Sequence, residues 1–420
     1  MIWRAGSWKP VTWPNLISTS TTCGPKRRAM NREVGRTSLG LRIALVYGGF
    51  FLFLGMFMPY WPAWLESLGL GPTAIGVLVA LTHVLKVITS PLIAQISDAS
   101  GHRRRVLAVV AGLGAGLFGL YFGAQGFLAL AIVTVVSHAF IPAVLPLTEQ
   151  VAVRAVRRCG IHYGRVRAVG SVTFVVAALA GGLLVERWGI GTVLPFCLMA
   201  LVATFGAVFL LPGGRDHAPR ESDSIGLKPI FRLLGNPTFR RVTLVVALLQ
   251  ASHGAYYALG TVHWQNSGLD AGLIGVLWGI GVAAEILLFI VAGRHIATIA
   301  PARVFIVVGL AGCLRWAVTA FSANPSLLLV VQCLHALTYG ATHLAMMAYL
   351  GKAVPAERAA TAQAIYSAGP MGIALGLVLA VVGALYDLVG GYVYLVMAVM
   401  CATAAAMSVG FTARATGRTP

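Results

Sequence analysis

Apolar stretches longer than about 18 residues, the length a helix needs to cross a bilayer, recur from residue 41 to residue 411. No soluble core holds so many in series. Only 10% of the 420 residues are charged and 58% are hydrophobic, against about 25% charged in a soluble domain, which excludes a soluble enzyme. Apolar runs bounded by Gly, Pro or charge predict helices over 41–65, 73–97, 105–123, 127–150, 165–186 and 190–211. A second set is predicted over 241–264, 271–293, 302–321, 326–350, 358–384 and 389–412. The expectation is an all-α integral membrane protein with twelve transmembrane helices in two sets of six, 41–211 and 241–412. Between them, 212–240 is polar and reads as a linker.

The net charge of +19 suggests nucleic acid in a soluble chain, but here it sits in loops. Of 31 Lys and Arg, 28 fall in the N-terminal segment, alternate loops, the linker and the tail 413–420 or within the first few residues of an adjoining span. The opposite loops hold only Arg187, and Lys86 and Arg315 lie inside spans. The positive-inside rule therefore predicts cytoplasmic termini and a cytoplasmic linker. Residues 1–40 form a cytoplasmic segment, of which 1–29 has neither a signal-peptide core nor a helical period. Translation is expected to begin at Met30, the rival being a disordered tail. None of the six cysteines is placed to form a disulfide or a zinc site.

Loop 2/3 reads Ala94-Gln95-Ile96-Ser97-Asp98-Ala99-Ser100-Gly101-His102-Arg103-Arg104-Arg105, which resembles the signature of the major facilitator superfamily, with Ala94 where the pattern has Gly. Within it the chain resembles the phenylpropionate permease group of proton-coupled symporters. The resemblance rests on Tyr60 to Leu70, on Tyr163-Gly164-Arg165-Val166-Arg167 with Gly170-Ser171, on Ser252 to Tyr257 with His263-Trp264-Gln265, and on Leu334 to Gly340 with His343. It implies two six-helix bundles, a midplane substrate site and rocking between them, in a bacterial inner membrane.

Ionisable residues inside a span cost roughly 2.5–3.5 kcal/mol and demand a partner, a wet cavity or neutrality. Lys86 on helix 2, with His83 one turn earlier, either attracts a substrate carboxylate or holds the bundles together. Glu285, Arg315 and His335 lie inside helices 8, 9 and 10. They resemble the proton-coupling residues of lactose permease, or they include a static Glu285–Arg315 pair. Gln250, His253 and Tyr257 form a polar stripe on helix 7 suited to a ring-bearing acid, unless they only bond across helices. Asp98, Gly101, Arg103, Arg104, Glu149, Arg165 and Arg167 are expected to form a cytoplasmic gate, with Glu149 pairing to an arginine of loop 2/3 or 4/5 and Asp98 capping a helix of the other bundle.

No phosphate-binding Gly-Lys loop, metal cluster or catalytic constellation is present in the sequence, so no cofactor is expected. The resulting reading is a proton-coupled importer of an aromatic monocarboxylate such as 3-phenylpropionate. Its partners would be an organic anion, protons and the lipid bilayer, without nucleic acid, and the protein would act as a monomer. A nucleoside or sugar symporter of the same fold is the rival; a non-transporting membrane enzyme or receptor leaves the gate signature unexplained.

Overall fold

The computed structural model describes residues 26–213, 227–355 and 358–415. Residues 1–25 of the leader, 214–226 of the expected linker and 416–420 of the tail lie outside the described residues. Among the described residues, eleven stretches are long and apolar enough to cross a membrane. The first ten are α1 (Ser38–Ser67), α2 (Pro72–Ser100), α3 (Arg103–Phe122), α4 (Gly126–Arg157), α5 (Tyr163–Trp188), α6 (Ile190–Val208), α7 (Pro237–Asn266), α8 (Ala271–Val291), α9 (Pro301–Phe321) and α10 (Pro325–Ala353).

The eleventh, Ala359–Val409, has 51 residues, about 76 Å of straight helix at 1.5 Å per residue and far more than one crossing needs. It is bent. Gly390 has φ 57°, a left-handed conformation that favours glycine, and a tight turn, Gly390–Tyr392, follows. We call the part before it α11 (Ala359–Ala368, Gly369–Ala374 and Leu375–Val389) and the part after it α12 (Val393–Ala415). α11 packs on α2 and α12 on α9.

Several boundaries differ from the expected ones. The first helix extends back to Lys26. The second part of α4 runs on to Cys159, and α5 begins at Tyr163, so the arginines expected in loop 4/5 sit on helix ends instead. α7 starts at Pro237, with Asn236 accepting hydrogen bonds from the backbone N–H of Thr238 and Phe239, which is why the linker ends earlier than its polarity suggests.

α1 is the hub, packing against α4, α5, α6 and α7, while α5 packs on α8. Its buried rings form a ladder: Phe57 stacks on Trp61 at 4.8 Å, Trp61 on Trp64 at 4.4 Å, and Tyr121 of α3 meets Trp61 edge-on at 4.7 Å. Lipid offers helices no hydrophobic reason to associate, so such packing and small residues hold the assembly. Val84, Ile88 and Leu92, one stripe of α2, are exposed, with Val84 close to Gly376 of α11.

Among the described residues, four helices are interrupted near their middles. α4 breaks between His138 and Val144 around Pro142. α7 breaks at Ser252 and His253, and α10 widens into a π turn at Ala336–Ala341. α11 does the same at Gly369–Ala374, where Pro370 has no N–H to give. Interrupted backbone there is tolerated where protein or a wet cavity satisfies it, so the breaks locate the polar interior.

Candidate functional site

The interruptions in α7 and α10 build one polar centre with α8 and α9. Arg315 of α9 is fully buried. Its guanidinium donates to Gln332 Oε1 at 2.6 Å, to Thr338 Oγ1 at 2.9 Å and to His335 Nδ1 at 3.2 Å. The same group lies over the Trp316 ring at 4.3 Å and the Tyr256 ring at 5.0 Å. Its charge is thus spread over neutral acceptors and π faces. Since Arg315 can only donate, His335 Nδ1 accepts, which assigns the proton of a neutral His335 to Nε2. That nitrogen faces Glu285 Oε2 at 3.7 Å. The bare backbone of Gly340 lets Glu285 approach: a Cβ there would stand 3.1 Å from its Cγ.

The alternative of a static Glu285–Arg315 pair is not what the structure has. His335 stands between them: Arg315 donates through Nη1 to His335 and Thr338 and through Nη2 to Gln332, while its buried Nε has no hydrogen-bond partner. His253, also fully buried, has both ring nitrogens engaged, Nδ1 with Gln250 O and Nε2 with Thr338 Oγ1, each at 3.1 Å. Gln250 is buried and Tyr257 is half-buried, stacking on His253 at 5.7 Å. Tyr256, within the resembling stretch 252–257, also belongs to this centre, as do Gln332 and Trp316, which carried no signal in the sequence beyond polarity or bulk in a span.

In the other half of the chain, Lys86 lies on α2. It shares a face of α2 with Thr82 and Val79, one and two turns away, and both of these are buried, yet Lys86 itself is exposed. An exposed residue on an inward face lines an internal opening. His83, one turn away, donates through Nδ1 to Val79 O and Thr82 Oγ1, both at 3.1 Å, since the Thr82 hydroxyl already donates to Val79 O.

The two ends of the helices differ. At the end bearing the basic residues, the bonds described stay within one half of the chain. Asp98 pairs with Arg103 five residues on, and Gly101, φ 65°, makes the turn between them. This corrects the expectation that Asp98 caps a helix of the other half: the tight turn delivers Arg103 to it first. Glu149 Oε1 lies 3.3 Å from Arg167 Nε and accepts from Tyr163 through Oε2 at 2.6 Å. Arg104 donates to Phe209 O at 2.9 Å, away from Glu149, and Arg165 is exposed.

At the far end the halves touch. Tyr60 of α1 donates to Ala178 O of α5 at 2.9 Å and lies 3.3 Å from Ala271 O, at the start of α8. A Cβ on Gly275 would stand 2.6 Å from both Ala178 O and the Tyr60 hydroxyl, and one on Gly76 2.7 Å from Leu379 O. Asn266 donates to Glu66 Oε1 at 3.2 Å, and the Thr73 backbone N–H to Asp387 Oδ2 at 3.2 Å.

An all-helical membrane chain with interrupted helices around a polar middle, sealed at one end, is a membrane transporter of the major facilitator type. Residues 41–397 match the model of the MFS_1 like family, and the chain belongs to it. A protein of Escherichia coli (strain K12) named a probable 3-phenylpropionic acid transporter is 31% identical over 363 residues, spanning 85% of this chain and 94% of that one. The maltose permease of Geobacillus stearothermophilus is 27% identical over 364 residues, 83% of this chain and 84% of its own. The crystal structure of the nucleoside transporter NupG superposes with a TM-score of 0.76 over 89% of this chain and 98% of that one. At 15% identity it speaks for the fold alone.

Proposed function

We propose that the protein imports an aromatic monocarboxylate, such as 3-phenylpropionate, together with protons by alternating access. It would sit in a bacterial inner membrane with twelve spans, α11 and α12 being separate crossings. The basic end, both termini and the linker 212–240 would face the cytoplasm, and the two six-helix bundles would be 41–211 and 241–412. Asp98, Gly101, Arg103, Arg104, Glu149, Arg165 and Arg167 would form the cytoplasmic gate.

The observation that carries this reading is the exposed cation Lys86 on the inward face of α2, set against the acid–histidine pair of Glu285 and His335. The cation would hold the carboxylate. Glu285 would take the proton, His335 would relay its state to Arg315, and Tyr257 would offer its ring to the substrate. The name of the 31% identical relative supports the substrate class. A nucleoside or sugar would need polar contacts from α7, where His253 already spends both ring nitrogens inside the protein.

The test is uptake of labelled 3-phenylpropionate into proteoliposomes, with the outside acidified. Accumulation that collapses on adding a protonophore is expected, whereas equal uptake without a pH gradient would sink the proton coupling. Glu285→Gln should keep exchange of substrate for substrate and lose accumulation. Lys86→Ala should weaken binding of the acid at least tenfold while changing that of its neutral amide little.

A further inference from the structure

Buried histidines stand at matching places in the two halves. Ser137-His138-Ala139 precedes the break in α4, and Leu334-His335-Ala336 enters the π turn of α10, each being the fourth helix of its half. The neighbours match as well. Lys86 follows Pro72, the first residue of α2, at the same separation as Glu285 follows Ala271, the first residue of α8. In one half histidine thus faces an acid, and in the other His138 and Lys86 both lie within electrostatic reach of His83.

The hydrogen bonds set the two rings in opposite tautomers. His335 receives Arg315 on Nδ1 and turns an Nε2–H toward Glu285. In the other half, the Ser137 hydroxyl is spent on Val133 O at 2.6 Å. His138 Nδ1, 3.1 Å from Ser137 Oγ, is therefore the donor in that contact, and Nε2 carries the lone pair. That Nε2 is buried and has no hydrogen-bond partner, in a side chain only 3% exposed. A buried acceptor left unmade costs about 1–3 kcal/mol, which an incoming proton with an acceptor for it would recover.

The groups around it narrow that use. α2 packs on α4 and brings His83, which is within electrostatic reach of both His138 and Lys86. α1 contributes the Phe57 ring, 5.3 Å away, and α3 the Tyr121 hydroxyl, which is bonded to Thr134 of α4 at 2.7 Å. Among these described neighbours there is no carboxylate. An imidazolium here would meet a counter-charge only when an anion enters beside Lys86.

We propose that His138 is the second anion-binding residue of the substrate site: its Nε2 takes up a proton as the substrate arrives, and the resulting N–H donates to the carboxylate held by Lys86. This rests on the carboxylate reading above and deepens it. The step is balanced, since the proton comes from the medium, the carboxylate stays ionised and no covalent bond to the substrate forms. The anion and this proton would bind as one unit, separately from the proton on Glu285.

Binding of 3-phenylpropionate to purified protein, measured calorimetrically from pH 5.5 to 8.5, tests it in the Glu285→Gln background, which removes the other proton site. Affinity should still rise as pH falls, by roughly tenfold per unit on the alkaline side, the limit for one linked proton. It should become flat in Glu285→Gln/His138→Gln, with about one proton fewer taken up per ligand in weak buffer. His138→Asn serves if the glutamine variant does not run as a folded species on gel filtration. A pH dependence that persists in the double variant, or one already lost in Glu285→Gln alone, overturns the role of His138 while leaving the transport reading standing. Failure of the unaltered protein to bind the acid at any pH overturns both.

Discussion

The far end of the helix bundle and its basic end are closed by different chemistry. At the far end, backbone meets backbone across the halves, at Gly275 and Ala178 and at Gly76 and Leu379, with the Tyr60 hydroxyl reaching two carbonyls. At the basic end, the bonds described for Asp98, Glu149 and Arg104 join neighbours within one half. Close packing has a steep, short-ranged cost when disturbed, whereas exposed ion pairs are worth about 0–1 kcal/mol. The far end should therefore respond sharply to added volume and the basic end only mildly to lost charge.

The largest effect is expected from Gly275→Val, which puts a branched side chain where a Cβ alone already stands 2.6 Å from Ala178 O. Overpacking costs about 1–3 kcal/mol. Uptake should fall tenfold or more, and maleimide should label a cysteine placed at the buried Val185 more readily than in the parent. Uptake within twofold of the parent would show that the halves do not need this contact.

Tyr60→Phe removes the hydroxyl without adding volume. A loss of about 1 kcal/mol moves the balance of open and closed far ends roughly fivefold, readable by the same labelling; an unchanged labelling rate would make Tyr60 a mere filler. Asp98→Asn comes next, slowing exchange a few-fold with the substrate Kd unchanged. Abolished binding in a folded protein would put Asp98 in the substrate site after all. Glu66→Gln, at an exposed contact with Asn266, should change uptake less than twofold, and a larger change would make this contact part of the seal.

The sequence was most informative where a rule depends on long stretches. Apolar length located the helices, and the loop around Asp98 and Gly101 indicated the family. It was least informative where partners come from different helices. Glu285 and Arg315 stood out as costly charges, yet their relation depends on His335, Thr338 and Gln332 from α10 arriving together at a π turn. His138 drew no attention as a lone histidine in an apolar run. Its signal is visible only when Ser137-His138-Ala139 is laid beside Leu334-His335-Ala336 and the break after each is known. The end of α4 was misjudged because arginine-rich sequence reads as loop, although Arg154 and Arg157 are on a helix.

The way Arg315 is held has an electrical consequence. Its described partners are neutral groups and ring faces, so its charge stays with the protein throughout the cycle. On the proposed reading, with Lys86 also positive and Glu285 ionised, these three groups of the empty carrier would sum to one positive charge. Loading two protons, on Glu285 and His138, with one monovalent anion raises that excess by one. The loaded carrier would then be drawn inward by an inside-negative membrane, by about 2.3 kcal/mol per 100 mV if the whole field is crossed, and the empty one less so. Taking His138 out of the count would leave one proton per anion, and transport would become indifferent to voltage while still answering to pH.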